Sequence, residues 1–534
     1  MSSEIGLVVG GSLSRGLEVR LTAETNVEEL AAGRFIVVEG RDFLFHCLIT
    51  DLALVTSPDI SSDPPAEGLL REALWGAGVG VTLTLRPMLV TEREADDVVP
   101  EPAKTLPAHF SPARLALAED VELVFGSESP DFRTFSLGSP PEMAGVPVCI
   151  NLGRFVERSS GIFGKTGTGK TLLTKLILGG LMRWNGVSCL IFDAHNEYAR
   201  EVPDETGSIH PTLANIFADT VEVLTLGTPR AGGKPLLIEH ADVEPEDILL
   251  LQGELRLTAT FPDVVNAFHL KYKKNWLGEL LALADAGMED FKSIAEELGL
   301  HLGSLQASVR RLKPLLRVDY LIDSRPPGSF DPTAAVVERL KRKRHVILEM
   351  GGSHDMLSYL FAANVITRRL HEAYVRDTYQ SVESGGEEPR DCLVVVEEAH
   401  RLISRELAGE TVFGVIAREM RKFHVSLLLV DQRPSGIDPE VLSQVGTKLI
   451  MLLDDPHDLE AVLGGQVEAV ELRRMVARLA TKQQALVLGY AVPMPVVLSV
   501  RPYDQSYAQA VGKIRPGAPP GDVQAESDRR FGFS

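Results

Sequence analysis

The eight residues Gly164–Thr171 read GKTGTGKT and lie between a short apolar run, Gly161–Phe163, and a stretch with apolar residues at helical spacing, Thr171–Trp184. Every fixed position of the phosphate-binding loop (P-loop) pattern is filled. The glycines let the backbone wrap closely round a phosphate, and the helix start adds the positive end of its dipole. The segment predicts a strand–loop–helix unit that binds the phosphates of a nucleotide; an ordinary Gly/Thr loop is the alternative.

The P-loop predicts both of the expected cofactors, ATP and Mg²⁺. Lys170 is expected to reach the β- and γ-phosphates, and the Thr171 hydroxyl to ligate Mg²⁺. The predicted ATP-binding residues are Gly164, Lys165, Thr166, Gly167, Thr168, Gly169, Lys170 and Thr171.

A second motif, LVVVEEAH at 393–400, places two acids directly after four apolar residues. The apolar residues predict a buried strand, whose C-terminal end is where ligands collect in open α/β sheets. Glu397 is expected to hold the Mg²⁺ shell. Since Asp is the commoner residue at this position, its contact with the metal is expected to be either direct or through a water molecule. Glu398 is expected to polarise the attacking water. An acidic helix N-cap after a strand is the alternative.

Other short apolar runs have the length of strands buried on both faces. They lie at Val187–Phe192, His345–Met350, Ser426–Val430 and Lys448–Leu453. Such strands, separated by helices, predict a parallel α/β sheet. Leu-rich helical periodicity from about 245 to 318 predicts a helical insertion in that sheet.

The N-terminal region has a different pattern. Residues 4 to about 90 alternate apolar and polar positions over short runs, as in Leu17–Leu21 and Phe43–Leu48. This alternation predicts a small antiparallel β-barrel or sandwich. The segment Asp96–Pro112 is acidic and contains four prolines, which is typical of an exposed connection.

Length and composition limit the classes of protein. The chain has 534 residues, which suggests two to four domains at roughly 150 residues each. Hydrophobic residues make up 44% and charged residues 24%, as in ordinary globular proteins. The net charge of −20 argues against a surface coated with basic residues for nucleic acid or anionic lipid, although it leaves room for a basic channel.

Cysteines and apolar segments predict a cytoplasmic protein. Cys47, Cys149, Cys189 and Cys392 lie far apart and form no CxxC pair, so they indicate core residues in a reducing compartment rather than zinc ligands or disulfides. Met1–Gly11 lacks the basic region of a signal peptide. No run of about 18 apolar residues predicts a membrane span.

Four motifs together resemble those of the HerA branch of the HerA/FtsK superfamily of hexameric DNA-pumping ATPases. They are the P-loop, FDAHNEY at 192–198, EEAH at 397–400 and DQRP at 431–434. The resemblance implies an α/β fold: a RecA-like P-loop ATPase with a helical insertion, preceded by a small N-terminal β-barrel. It also implies ATP-driven movement of double-stranded DNA through a homohexamer, with a partner nuclease of the NurA type or another effector of an antiphage pair.

The resemblance further implies roles for Asp193 and Gln432. Asp193 would orient water or Mg²⁺ near the γ-phosphate; a turn residue at the strand end is the alternative. Gln432 would hydrogen-bond the γ-phosphate or water and sense hydrolysis; a turn initiator before Pro434 is the alternative.

Arginines complete the site that the resemblance implies. Arg421, favoured over Arg418, would serve the ATP of the neighbouring subunit, and Arg158 would be a second phosphate-facing arginine. A guanidinium suits this role because it stays charged and matches phosphoryl oxygens. A surface salt bridge is the alternative for each.

Basic clusters at 271–274, 310–313 and 339–344 are expected to be solvated helix faces or, repeated round a ring, phosphate contacts. Two other functions stay open. One is a conjugation or type IV secretion ATPase on a membrane-bound machine. The other is an ATP-binding ring scaffold that organises an effector enzyme.

The predicted domains are an N-terminal β-barrel over 1–95, a connecting segment over 96–153, the ATPase domain over 154–500 with its insertion at about 245–318, and a C-terminal arm or tail over 501–534.

Overall fold

The computed structural model describes residues 4–22, 24–56, 79–93, 99–201, 207, 209–227, 234–324, 331–350, 356–405, 412–419, 422–466 and 468–512. The chain divides into two compact units. The first contains residues 1–151, 447–454 and 463–501, and the second contains residues 152–446, 455–462 and 502–534.

The described strands are numbered in chain order. They are β1 (Glu4–Ser12), β2 (Gly16–Leu21), β3 (Phe35–Glu39), β4 (Phe43–Thr56), β5 (Val79–Glu92), β6 (Glu101–Pro102), β7 (Pro112–Leu115), β8 (Thr134–Ser139), β9 (Val148–Asn151), β10 (Ser160–Phe163), β11 (Ser188–Asp193), β12 (Val221–Leu226), β13 (Lys234–Leu236), β14 (Ile238–Glu239), β15 (Leu321–Ile322), β16 (His345–Glu349), β17 (Cys392–Glu397), β18 (Val425–Asp431), β19 (Thr447–Ile450), β20 (Gln484–Gly489) and β21 (Val496–Val500).

The described α-helices vary widely in length. They are Ala118–Phe125, Leu152–Glu157, Lys170–Trp184, Leu213–Ile216, Pro245–Leu249, Gln252–Leu255, Phe261–Tyr272, Trp276–Ala282, Met288–Leu298, Leu302–Leu312, Pro332–Lys341, Met356–Ser384, Ala399–Leu402, Val412–Glu419, Pro439–Gln444, Pro456–Leu463, Ala469–Val476 and Gln505–Val511. Within the described part of the chain, none of these helices has both the length and the apolar character that a membrane span needs.

The first unit begins with a closed antiparallel barrel. Six strands follow the order β2-β1-β7-β3-β4-β5, pairing of β2 with β5 closes the circle, and β6 adds to the outer edge of β5. Alternate residues face the interior, so that Leu17, Val19 and Leu21 of β2 are buried while Glu18 and Arg20 are exposed. This alternation confirms the barrel predicted from the sequence.

Five further strands of the first unit also pair antiparallel. Their order is β19-β20-β21-β8-β9. The apolar run Lys448–Leu453 overlaps the expected strand, β19, which pairs antiparallel with β20. Residues 447–454 and 463–501, which the sequence assigned to the ATPase domain, therefore group with the N-terminal unit.

The second unit contains a parallel sheet of seven strands in the order β13-β12-β16-β11-β17-β18-β10. Every residue of β11, β16, β17 and β18 is buried. Strands covered by helices on both faces need apolar residues at successive positions, which is why continuous apolar runs predicted them. The predicted α/β fold with a P-loop ATPase sheet is confirmed.

The predicted insertion is helical and has its own core. Six helices lie between Pro245 and Leu312. Phe261, Phe268 and Trp276 are fully buried there, and the indole Nε1 of Trp276 donates to the carbonyl of Val243 at 2.9 Å.

A buried ion pair attaches the insertion to the long helix Met356–Ser384. Asp247 is fully buried and accepts hydrogen bonds from Arg368 at 2.7 Å and from Asn364 at 2.7 Å. Burial raises the pKa of Asp247, and Arg368 opposes that shift. The neighbouring Arg369 pairs at 2.6 Å with Asp242, which lies three residues before the insertion, so two arginines of one helix fix the insertion and its entry.

The region predicted to be an arm begins with ordered structure. The helix Gln505–Val511 buries Tyr507, whose hydroxyl donates to the carbonyl of Leu176 at 2.7 Å. Gly179 makes room for that ring, because a Cβ there would lie 2.2 Å from the Tyr507 hydroxyl. An extended arm was predicted from residue 501, whereas the chain up to residue 512 contains a packed helix. Residues 513–534 lie outside the described part.

All four cysteines are buried and free of disulfides. Burial raises the pKa of the Cys189 and Cys149 thiols to about 12. Their predicted place in the core is confirmed.

Candidate nucleotide site

The carboxyl ends of the parallel strands meet at one edge, and acidic side chains collect there. β16 ends at Glu349, β11 at Asp193, β17 at Glu397 and β18 at Asp431. Strand pairing puts Asp193 beside Glu349, and Phe163 beside Asp431. The P-loop follows Phe163, so the predicted loop and the predicted acids lie at the same edge, where open α/β sheets bind ligands.

The P-loop closes on itself ahead of a helix. Gly167 and Gly169 have φ angles of 79° and 101°, a region that side chains with a Cβ rarely adopt. The carbonyl of Lys165 accepts hydrogen bonds from the Thr168 hydroxyl at 2.8 Å and from the Lys170 ammonium at 3.0 Å. The helix that begins at Lys170 has 15 residues, so its N-terminus favours an anion beside the loop.

The P-loop lysine lies within reach of the acidic edge. Burial lowers the pKa of the Lys170 ammonium, and the carboxylates of Glu398, Asp431 and Glu397 oppose that shift. A cation surrounded by these carboxylates is placed to bind phosphate oxygens that enter the loop.

A second buried lysine on the same helix was missed from the sequence. Lys175 is 7% exposed, and burial lowers its pKa against the carboxylates of Glu197, Asp193 and Glu397. Its ammonium group places a positive charge near these three carboxylates. Its signal in the sequence is a lone charge inside the apolar helical run Leu172–Leu181.

Glu397 is a buried carboxylate with one free oxygen. The Tyr198 hydroxyl donates to its Oε1 at 2.8 Å, and the Tyr359 hydroxyl donates to its backbone carbonyl at 3.1 Å. Oε2 is buried and has no hydrogen-bond partner among the described residues. Burial, with Asp193 as the next cause, raises the pKa of Glu397 to about 8.

These features fit the predicted Mg²⁺ ion. A buried carboxylate oxygen without a donor is stabilised by a cation, and Mg²⁺ uses few protein carboxylates because it keeps waters and phosphate oxygens as ligands. Within the described ranges, no cluster of three or more His, Cys, Asp or Glu side chains could hold a metal by itself. Glu397 and Thr171 are the residues that would hold Mg²⁺ next to a bound nucleotide.

Glu398 directly follows β17 and has an unusual backbone. Its φ of 51° lies in the left-handed region, which a non-glycine residue adopts only at a cost. The Gln432 amide nitrogen donates to both of its carboxylate oxygens, at 3.1 and 3.3 Å. The Thr166 hydroxyl donates to the amide oxygen of Gln432, so Gln432 connects the P-loop with Glu398.

Asp431 and His400 form a pair whose role the sequence did not reveal. The buried carboxylate of Asp431 accepts hydrogen bonds from the backbone nitrogens of His400 at 2.7 Å and Arg433 at 2.6 Å. The Nδ1 of His400 lies 3.0 Å from the same carboxylate and 3.5 Å from that of Glu398. The hydrogen bond with Asp431 raises the pKa of His400. In the sequence, the only indication of their importance is that His400 belongs to the EEAH motif and Asp431 to the DQRP motif.

Asp193 matches the turn alternative more closely than the predicted catalytic role. Its fully buried carboxylate accepts hydrogen bonds from the backbone nitrogens of Glu197 at 2.8 Å, Tyr198 at 2.9 Å and Ala199 at 3.2 Å. Burial raises its pKa to about 7. Both oxygens are used to shape the turn that brings Tyr198 to Glu397.

Arg158 is remote from the P-loop of its own subunit. Arg158 precedes β10, whereas the P-loop follows that strand, so about 20 Å of extended chain separates them. Arg158 therefore does not face the phosphates of its own subunit, because the two ends of a strand lie at opposite edges of the sheet. Its role toward a neighbouring subunit stays a prediction. Arg418 is exposed on the last turn of the helix Val412–Glu419, and Arg421 lies outside the described residues.

Some residues of the basic clusters at 271–274 and 339–344 form ion pairs with acids. Arg339 pairs with Glu222 and Lys341 with Asp377, each at 2.5 Å. Lys271 forms an ion pair with Glu297. These contacts match solvated, ion-paired helix faces.

Comparisons with known proteins agree with these motifs. Residues 135–370 match the family model described as "Helicase HerA, central domain". The chain is 26% identical over 394 residues to a protein of Saccharolobus solfataricus named "DNA double-strand break repair helicase HerA", covering 73% of this chain and 72% of that protein. It is 22% identical over 546 residues to the protein of the same name from Pyrococcus furiosus, covering 94% of this chain and 92% of that protein.

A solved structure, VirB4 of Thermoanaerobacter pseudethanolicus, aligns with a TM-score of 0.46 and 14% identity, covering 70% of this chain and 97% of that chain. The family model and the full-length relatives name the same family as the motifs. The chain is similar to the HerA helicases in its central region and, at lower identity, over most of its length.

Proposed function

We propose that this protein is an ATP-driven translocase or helicase for double-stranded DNA that works as a homohexameric ring. The observation that carries the proposal is the meeting of the P-loop, Glu397, Glu398 and Gln432 at one sheet edge. Each of these parts is needed for hydrolysis of a nucleoside triphosphate. DNA as the substrate is supported by the relatives named as DNA double-strand break repair helicases.

Each group at this edge of the sheet has a separate role in the proposed hydrolysis. The P-loop backbone and Lys170 hold the phosphates, and Thr171 and Glu397 hold Mg²⁺. When bound, the ion supplies positive charge to the phosphate oxygens. Glu398 accepts the proton of the attacking water, and Gln432 lies between that base and the loop that encloses the phosphates.

An arginine of the neighbouring subunit completes the site in this proposal. Arg421 is the first candidate and Arg418 the second, and Arg158 serves the neighbour because it is remote from its own P-loop. An arginine that arrives from another subunit makes hydrolysis depend on assembly. A monomer is therefore expected to hydrolyse ATP poorly.

The partner is proposed to be a nuclease or another effector enzyme, acting in DNA-end processing or in antiphage defence. Support comes from the relatives named for double-strand break repair. Within the described residues, no acidic cluster forms a metal centre that would cut DNA.

The test is the ATPase rate with and without linear duplex DNA, recorded together with the oligomeric mass. DNA should stimulate turnover by a hexamer, and Glu398→Gln should lower turnover by about 100-fold or more while ATP still binds. Glu383→Gln, at an exposed position on the long helix, is the matched control and should behave as the wild type.

Other results would favour the other functions. Turnover that ignores DNA, with full partner activation by Glu398→Gln, would support a ring scaffold. Turnover that ignores DNA in a protein that co-purifies with membranes would support a secretion-type ATPase.

A further inference from the structure

Three side chains form a continuous hydrogen-bonded path from the P-loop to Glu398. The Thr166 hydroxyl donates to Oε1 of Gln432. Nε2 of Gln432 donates to the carboxylate of Glu398 at 3.1 Å to one oxygen and 3.3 Å to the other. The path joins a loop residue to a residue far along the chain, since Thr166 and Gln432 are 266 positions apart.

The polarity of this path is fixed by chemistry. An ionised carboxylate only accepts hydrogen bonds, so Gln432 must turn its amide nitrogen toward Glu398. Its amide oxygen then faces Thr166, which must act as the donor. Without that hydroxyl, the amide of Gln432 loses the contact that holds its oxygen end in place.

The P-loop pattern itself does not require a hydroxyl at position 166. Its fixed positions here are Gly164, Gly169, Lys170 and Thr171, and the four residues between the first two are free to vary. Backbone groups of the loop bind phosphate whatever side chain stands at 166. The contact of Thr166 with Gln432 therefore points to a separate task.

Glu398 depends on such support. Its backbone is held at φ 51°, and its side chain is 23% exposed, so water competes for its carboxylate. A general base works only when its lone pair points at the proton that it removes. The Gln432 amide contacts both carboxylate oxygens and thereby sets their direction.

We propose that Thr166 is a positioning residue for hydrolysis: its hydroxyl fixes the amide of Gln432, and the amide fixes the carboxylate of Glu398. This proposal rests on the proposed function, because it assigns Glu398 the role of base. It also makes the P-loop, through one side chain, a determinant of where the base points.

The test compares Thr166→Val, which keeps the shape and removes the hydroxyl, with Thr166→Ser, which keeps the hydroxyl. Thr166→Val should lower kcat about tenfold, the effect expected for the loss of one neutral hydrogen bond. The Kd for a non-hydrolysable ATP analogue should change less than twofold, and Thr166→Ser should recover most of kcat. If Thr166 only stabilised the loop, Thr166→Val would weaken analogue binding and lower the free energy of unfolding together with kcat. Thr166→Ser would then not restore kcat separately from binding.

Three results would overturn the proposal. They are an unchanged kcat in Thr166→Val, a raised kcat, which would mean that the contact restrains Glu398, and a loss of analogue binding equal to the loss of kcat. A double-variant cycle adds a further check, since Thr166→Val should have no further effect in a Gln432→Ala background.

Failure of the proposed function is recognised separately. If the wild type has no ATPase activity, or if Glu398→Gln retains it, the assignment of Glu398 is wrong. If the wild type is active and Glu398→Gln is not, an unaffected Thr166→Val contradicts the positioning role alone.

Discussion

The Tyr198 hydroxyl donates a 2.8 Å hydrogen bond to Oε1 of Glu397, although the two residues are 199 positions apart in the chain. Asp193 makes this contact possible, because its carboxylate caps the turn that carries Tyr198. The motif FDAHNEY is thus connected physically to EEAH: its acid shapes a turn, and its tyrosine supports the acid at the end of the neighbouring strand.

Tyr198→Phe should lower the free energy of unfolding while leaving the shape of the side chain nearly unchanged. Buried Glu397 would lose a donor, which costs about 1–3 kcal/mol of the free energy of unfolding. Urea denaturation measures that loss. Tyr503→Phe is the matched control, because the hydroxyl of Tyr503 is buried without a hydrogen-bond partner among the described residues. Equal stabilities of the two variants would contradict the support assigned to Tyr198.

Mg²⁺ binding should depend on pH through Glu397. Its pKa is raised to about 8, so its carboxyl group is protonated below that pH and must lose a proton to bind the cation. The affinity for Mg²⁺, measured by calorimetry in the presence of ADP, should weaken by up to about tenfold as the pH falls from 8 to 7. Glu397→Gln should bind weakly at both pH values. An affinity of the wild type that stays constant from pH 7 to pH 8.5 would argue against this ligand.

Acid should destabilise the second unit through His345. Burial lowers the pKa of this imidazole to about 3, and its Nδ1 accepts a hydrogen bond from the backbone nitrogen of Cys189 at 3.2 Å. Since the unfolded state binds the proton first, the stabilising contribution is complete above pH 6.5 and is lost progressively as the pH falls toward 3.

The measurement is the slope of the free energy of unfolding against pH between 6.5 and 5. Asp193 and Glu397 have raised pKa values and contribute slopes of the opposite sign, so the wild type is compared with His345→Gln. The variant should be less sensitive to acid than the wild type. Identical slopes would show that His345 is not responsible.

Arg368→Met should loosen the helical insertion. It leaves fully buried Asp247 without its cationic partner, a change that costs about 3–5 kcal/mol in buried ion pairs. Limited proteolysis should then cut within residues 245–318 sooner than in the wild type. Arg342→Met is the control, because Arg342 is 80% exposed and lies 4.0 Å from its acidic neighbour Glu338. Similar protease sensitivity of both variants would contradict the attachment.

The fold was accessible from the sequence where one local pattern decided it. Strands such as β17 consist of apolar residues up to their last position, and a P-loop has few alternatives for its shape. The direction of β19 was not accessible, because a run of four buried residues looks the same in a parallel and an antiparallel strand. The helix around Tyr507 was missed because prolines further on dominated the composition of that region.

The candidate site was partly accessible for the same reason. Glu397 and Glu398 are recognised by their place after a strand, whereas the use of Asp193 depends on which backbone groups surround it. The contact between Thr166 and Gln432 and the burial of Lys175 arise from tertiary packing. No spacing in the sequence encodes them.

The long helix Met356–Ser384 connects the end of β17 with the helical insertion. Its 29 residues extend over about 43 Å. Tyr359 near its start holds the backbone carbonyl of Glu397, and Arg368 holds the insertion about 13 Å further along the axis. Since a continuous helix resists bending over such a distance, we expect a shift at the end of β17 to tilt this helix and to move the insertion with it.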